Sequence, residues 1–224
     1  MPEAIRIGAM ASGGGTNLQS IIDACEAGDI NGEVVVVISD NPDAGALRRA
    51  RNHDIEAIQV DVPKTGTPGW EKTDREIIDI LQDREVDLVV LAGYMRIVGP
   101  EMVAVFRGKM MNIHPALLPA FPGVDVQWEA VEHGVKIAGA TVHFVAEEYD
   151  TGPIIIQACV PVMAGDTGQD LADRILRLEH RIYPQAIRWF AEGRLTIEGR
   201  KVVFDEPPAG DEESYIVSPP LEAF

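Results

Sequence analysis

The sequence predicts an α/β protein with an open sheet and helices on both faces. Three observations predict it. Short apolar runs alternate with helical patterns through the first half of the chain. Two of those runs, Val34-Val35-Val36-Val37-Ile38 and Leu88-Val89-Val90-Leu91, are continuous and β-branched-rich, as strands covered on both faces are. In the second half two strand-like runs are joined by a turn instead of a helix, which suits antiparallel pairing. The expectation is a Rossmann-like sheet, mostly parallel, with antiparallel strands in the C-terminal half.

Each element has its own signal. Residues 5–9, 33–39, 57–60 and 88–92 read as strands. Between them residues 18–27, 44–52 and 71–84 read as helices, the last with Ile77, Ile78 and Leu81 at helical spacing. Such alternation implies right-handed βαβ units. Residues 110–114 form a further strand, 126–133 a helix, and 136–144 and 154–160 two more strands. A long helix covers about 167–192, and Pro184 inside it predicts a kink or break. Residues 195–197 and 202–204 flank a Glu198-Gly199 turn and read as a hairpin. Residues 205–224, rich in Pro, Asp and Glu, read as irregular surface chain. The division expected is a domain at 1–194, with a nucleotide-binding half to about 100 and a second half from 101, then the hairpin and acidic tail at 195–224.

Composition excludes several classes. No stretch reaches the roughly 18 uncharged apolar residues of a membrane helix, and no signal peptide opens the chain, so a cytoplasmic protein is expected. The two cysteines, Cys25 and Cys159, lie far apart without metal-ligand spacing and read as small buried hydrophobes. Lys and Arg total 19 against 36 Asp and Glu, a net charge of −17. A phosphate backbone repels such a surface, which disfavours nucleic acid as a partner. Many acids with few lysines fit a salt-adapted protein, and fit an ordinary acidic enzyme nearly as well. Loss of fold on dialysis to low salt tells the two apart.

Three segments carry chemistry. Ala11-Ser12-Gly13-Gly14-Gly15-Thr16-Asn17 follows the first strand and opens a helix. Glycines let backbone N–H groups crowd an anion, the helix N-terminus adds a positive partial charge, and Thr16 and Asn17 bring side-chain donors. It is neither G-x-G-x-x-G nor a Walker loop, and a tight βα turn would need glycines too. Asn112 and His114 are two apart at the end of a strand, so they share a face and can hold a carbonyl oxygen as it becomes an oxyanion. A satisfied core histidine is the plainer reading of His114 taken alone. Asp150, in the turn before Thr151-Gly152-Pro153, can pair with His114 and stabilise its charged form, or simply cap its own turn.

Five ordered motifs over about residues 5–195 resemble the glycinamide ribonucleotide formyltransferases, folate-dependent enzymes of purine synthesis. They are Ser12-Gly13-Gly14-Gly15-Thr16-Asn17, Leu91-Ala92-Gly93-Tyr94-Met95-Arg96-Ile97, Asn112-Ile113-His114-Pro115-Ala116-Leu117-Leu118-Pro119, Thr141-Val142-His143-Phe144-Val145 with Tyr149-Asp150-Thr151-Gly152-Pro153, and Glu179-His180-Arg181-Ile182-Tyr183-Pro184. The resemblance implies formyl transfer from 10-formyltetrahydrofolate, a co-substrate, to the glycinamide amine, with no metal. It implies that Gly13, Gly14, Gly15, Thr16 and Asn17 hold the substrate phosphate and that Glu179 contacts its ribose or glycinamide. Met95, Arg96, Ile97, Val98, Asn112, Val145 and Asp150 would line the folate pocket. Asn112, His114 and Asp150 would form the catalytic set, in a monomer or homodimer acting on small molecules.

The chain departs from the family pattern in places. Val124-Asp125-Val126-Gln127-Trp128 stands where relatives carry a histidine-containing stretch, with Asp125 near its place, and Pro68-Gly69-Trp70-Glu71 lacks an arginine that some relatives use toward the folate's glutamate tail. His143 reads as structural rather than catalytic. His53, His133 and His180 read as surface or helix-packing residues without convergent partners, Trp128 and Trp189 as packing groups. The alternatives are a 10-formyltetrahydrofolate hydrolase, expected to carry a further N-terminal domain, and a non-catalytic nucleotide-binding module.

Overall fold

A computed structural model describes residues 3–63, 65–67 and 69–206. The tail beyond 206, read above as irregular, lies outside the described residues. One sheet runs in the order β3-β2-β1-β4-β5-β6-β7-β9-β8. The strands β1 (Ile5–Met10), β2 (Gly32–Ser39), β3 (Glu56–Gln59), β4 (Leu88–Leu91) and β5 (Met110–His114) pair in parallel. β6 (Ile137–Phe144) turns antiparallel against β5, and β7 (Ile154–Pro161) antiparallel against β6. The hairpin of β8 (Leu195–Glu198) and β9 (Lys201–Phe204) joins the same sheet, β9 lying parallel beside β7.

Strand alternation sends two sets of side chains to two cores. Ile7, Ala9, Leu88, Val90, Met111 and Ile113 meet α1 (Thr16–Glu26), α2 (Gly45–Asn52), α5 (Val126–Glu132) and α6 (Gly168–Ala191). Met10, Val89, Leu91 and Met110 meet α3 (Trp70–Asp83) and α4 (Pro100–Val105). The register slips between Ile7 and Gly8, so Val34 and Val37 serve the first core while Val36 and Ile38 serve the second. Strand order reverses between β1 and β4, the crevice where open α/β sheets bind ligands.

Two elements differ from the sequence reading. α4 is only six residues, too short to show a period, and Pro100 opens it. A residue distant in sequence stabilises its start, because the Asp74 carboxylate on α3 accepts from the Gly99 N–H at 3.2 Å. The break expected at Pro184 does not occur: α6 is one helix of 24 residues. A capping box of Thr167 and Asp170 starts it, and Ile182, Tyr183, Ala186 and Ile187 around the proline are buried. The Tyr183 hydroxyl lies 3.1 Å from the Leu91 carbonyl and 3.0 Å from that of Met111. Packing of that whole face offsets the one helical bond a proline removes.

Candidate active site

Asn112 and His114 occupy the face of β5 opposite Met111 and Ile113. Antiparallel pairing sets His143 opposite Asn112 and Thr141 opposite His114. Four polar side chains therefore share one patch of sheet, roofed by the loop at 115–123. Thr141 secures that loop: its hydroxyl donates to the Ala116 carbonyl at 2.7 Å and accepts from the Leu118 N–H at 3.1 Å. The Gln157 amide adds bonds of 2.9 Å to the Leu118 carbonyl and to the Thr141 hydroxyl.

Asp150 arrives from the turn between β6 and β7. Its backbone has φ 56°, left-handed geometry that aspartate tolerates better than most residues. Its Oδ2 accepts from the Gly123 N–H at 2.9 Å, which ties the two loops together. The same oxygen stands 3.6 Å from Nδ1 of His114, and Oδ1 stands 3.8 Å from Nε2 of His143. The amide, imidazole and carboxylate named from the sequence thus lie together, with a second imidazole among them.

Hydrogen-bond logic assigns the nitrogens. Nε2 of His114 lies 2.8 Å from the Phe121 carbonyl, which can only accept, so Nε2 carries a proton and Nδ1 faces Asp150. Nδ1 of His143 donates to the Phe144 carbonyl at 2.9 Å, leaving Nε2 to accept from the Asn112 amide at 3.3 Å. Burial first of all pushes the His143 imidazole below its ordinary value, so the ring stays neutral and keeps this acceptor. One amide hydrogen of Asn112 is committed to His143 and the other remains to donate. His143, read as structural from the sequence, therefore positions Asn112. Its parity across the β5–β6 register carried that information, but register cannot be read from one chain.

The loop after β1 lies beyond the C-terminal ends of β1 and β4. Gly13 and Gly14 are exposed, with open space where a Cβ would stand. Gly15 has φ 73° and its missing Cβ would meet the Ala46 Cα at 2.7 Å, so α2 packs directly against the loop. No side chain caps α1, and its first N–H groups have no intrahelical acceptor. The Asn17 side chain is buried and donates from Nδ2 to Oε2 of Glu179 at 2.7 Å, while its Oδ1 is buried without a partner. The side chain of Asn17 is thus directed at Glu179. Desolvation raises the Glu179 carboxyl above its ordinary range.

The segment after β4 leans on the same loop. The Ser12 N–H donates to the Gly93 carbonyl at 2.9 Å, and the Met95 N–H donates to the Ser12 hydroxyl at 2.8 Å. Arg96 is bound through Nε to Asp40 at 2.6 Å. Met95 and Ile97 are exposed on the rim, while Val98 and Val145 pack with Tyr94 on the second core. Sequence reasoning missed Ser12 as the link between the two segments.

The remaining residues separate. Asp125 is exposed at the N-cap of α5, and Trp128 lies against Gly168 at the start of α6. Trp189 packs edge-on against Phe204. His53 has partners after all, Glu26 at 2.7 Å and Gln19 at 3.0 Å, and His133 meets the Glu129 carbonyl and the Phe121 ring. Cys25 and Cys159 are free thiols, and burial pushes Cys25 up to about 11, which leaves it unreactive. Among the described residues no helix is long and apolar enough to cross a membrane.

Comparison with known proteins matches the formyl transferase family over residues 5–187. The phosphoribosylglycinamide formyltransferase of Escherichia coli (strain K12) is 43% identical over 204 residues, 90% of this chain and 95% of that protein. The crystal structure of glycinamide ribonucleotide transformylase 1 from Symbiobacterium toebii superimposes with a TM-score of 0.86 at 56% identity, covering 89% of this chain and 93% of that one. A formyltetrahydrofolate deformylase from Pseudomonas syringae pv. tomato superimposes at 0.83 with 29% identity, over 91% of this chain and 67% of its own.

Proposed function

The chain belongs to the formyl transferase family, and from that premise we propose that it moves a formyl group from 10-formyltetrahydrofolate to the glycinamide amine of 5-phosphoribosylglycinamide in the cytoplasm. The observation that carries the reading is the meeting of Asn112, His114 and Asp150 at the end of β5, in the same sheet whose β1, two strands away, leads into an uncapped, glycine-rich helix start. The phosphate binds the amides of Gly13, Gly14, Gly15, Thr16 and Asn17. Glu179, held by Asn17, takes the ribose or glycinamide. Met95, Arg96, Ile97 and Val98 with Val145 line the pterin pocket.

The neutral glycinamide amine attacks the formyl carbon. The carbonyl oxygen becomes an oxyanion, and the free amide hydrogen of Asn112 is the donor aimed at it. His114, with Nε2 held by the Phe121 carbonyl, works through Nδ1: protonated there, it donates to the oxyanion as well. Asp150 stabilises that imidazolium and holds a water that carries the amine's proton to N10 of the folate. Collapse of the intermediate then expels tetrahydrofolate. Bringing both substrates into line accounts for much of the rate.

The test is an assay of purified protein with 10-formyltetrahydrofolate, with and without the ribonucleotide. Transfer only in the presence of the acceptor is expected. The likeness to the deformylase favours hydrolysis as the second reading, and release of formate without acceptor would establish it instead. No release in either case would mean a binding module.

A further inference from the structure

We propose that Arg49 is a positioning residue for the substrate phosphate, a reading that rests on the function proposed above. Arg49 belongs to α2, outside every motif singled out in the sequence. Its Nε donates to the Gly14 carbonyl at 2.9 Å, and its Nη1 donates to Oε1 of Gln19 on α1 at 3.0 Å. One planar guanidinium thus joins the loop to the helix that follows it. The Gly14 carbonyl and the Gly15 N–H belong to one peptide unit and point in opposite directions. Holding the oxygen toward α2 turns that N–H away from α2, to the open side of the loop.

The direction of Arg49 is fixed from behind. Nδ1 of His53 lies 2.7 Å from Oε1 of Glu26, a carboxylate that accepts, so Nδ1 carries a proton, and Nε2 faces the Gln19 amide nitrogen, a donor, so Nε2 accepts. The Gln19 amide nitrogen then donates both hydrogens, to His53 at 3.0 Å and to Asp23 at 2.7 Å. Its oxygen is left facing Arg49. A single arrangement satisfies the whole chain of contacts, and a chain of net charge −17 thereby keeps one cation fixed beside its glycine loop. The charge reaches α6: after burial, Arg49 is the second cause that holds His180 below its ordinary value.

The experiment titrates ribose 5-phosphate into the full chain and pairs this with steady-state kinetics of both substrates. Arg49→Gln should bind ribose 5-phosphate about tenfold more weakly and raise KM for the ribonucleotide to match, with kcat and KM for the folate within about twofold. Arg49→Lys, which returns the charge without the fork, should fall between. Binding by Arg49→Gln equal to wild type overturns the proposal, and so does a loss spread over both substrates and kcat. Should Arg49→Gln fail to fold, Gln19→Met decides: about threefold weaker binding is expected, and unchanged binding overturns it. A wild-type chain that does not bind ribose 5-phosphate removes the phosphate cradle itself, separating that failure from one confined to Arg49.

Discussion

The two halves of the candidate site are built from different materials. The loop at 12–17 offers backbone amides, and its side chains serve mainly to shape it: Asn17 holds Glu179, and Ser12 holds the segment after β4. The ends of β5 and β6 and the turn after β6 offer side chains, each oriented by a neighbour while part of its hydrogen-bonding capacity stays free to act. His143 does this for Asn112, the Phe121 carbonyl for His114 and the Gly123 N–H for Asp150. The difference teaches where each kind of change should act. A phosphate is bound by many equal backbone donors, so losing a side chain of the loop itself costs little, whereas a change that turns the loop, an added Cβ or the loss of Arg49, costs more. An oxyanion is met by few donors, so losing one is severe.

The largest effect should come from the side-chain end. His114→Ala should cut kcat on the order of 10²-fold or more with little change in KM for the ribonucleotide, read by steady-state kinetics. Near-normal turnover would break the contrast. At the backbone end Gly15→Val meets both the positive φ and the Ala46 backbone. It should raise KM for the ribonucleotide at least tenfold and cost about 1–3 kcal/mol of stability, seen by denaturant melting.

A middle effect sharpens the comparison. His143→Phe removes the acceptor that orients Asn112, without touching the carbonyl itself, and should lower kcat about tenfold. The sign of its pH effect follows from burial. A histidine depressed in the fold favours the native state above its unfolded value, about 6.5, and that stability is lost as pH falls toward the depressed one. Melting curves from pH 7 to 5 should show wild type losing stability that His143→Phe does not lose.

The smallest effect concerns Glu179. Its carboxyl is raised by burial, so its stabilising contribution is present below the unfolded carboxylate value and lost as pH rises through the raised one. Glu179→Gln keeps an acceptor for Asn17 and does not titrate. It should melt a few degrees above wild type at pH 7, the gap closing toward pH 4, while ribonucleotide binding weakens. Equal melting temperatures at both pH values would show the burial to be without consequence.

Much of this was legible in the chain. Runs such as 34–38 and 88–91 announce buried strands because both faces need apolar cover, and spacing alone set Asn112 and His114 on one face. What stayed hidden depends on distant partners. α4 has no period and is stabilised by Asp74 on another helix, and Pro184 is tolerated because Tyr183 and its neighbours are packed. His143 gained its role from antiparallel register, and Arg49 from a loop 35 residues away in sequence. Local pattern predicts elements; convergence of side chains needs the topology.

The most direct test is a crystal structure of the chain with 5-phosphoribosylglycinamide and a non-transferable 10-formyl folate analogue. The account predicts the phosphate on the amides of residues 13–17 and the formyl oxygen within about 3.2 Å of Nδ2 of Asn112, with Nδ1 of His114 on the same oxygen. A formyl oxygen turned away from Asn112 and His114, with both ligands otherwise in place, would contradict it.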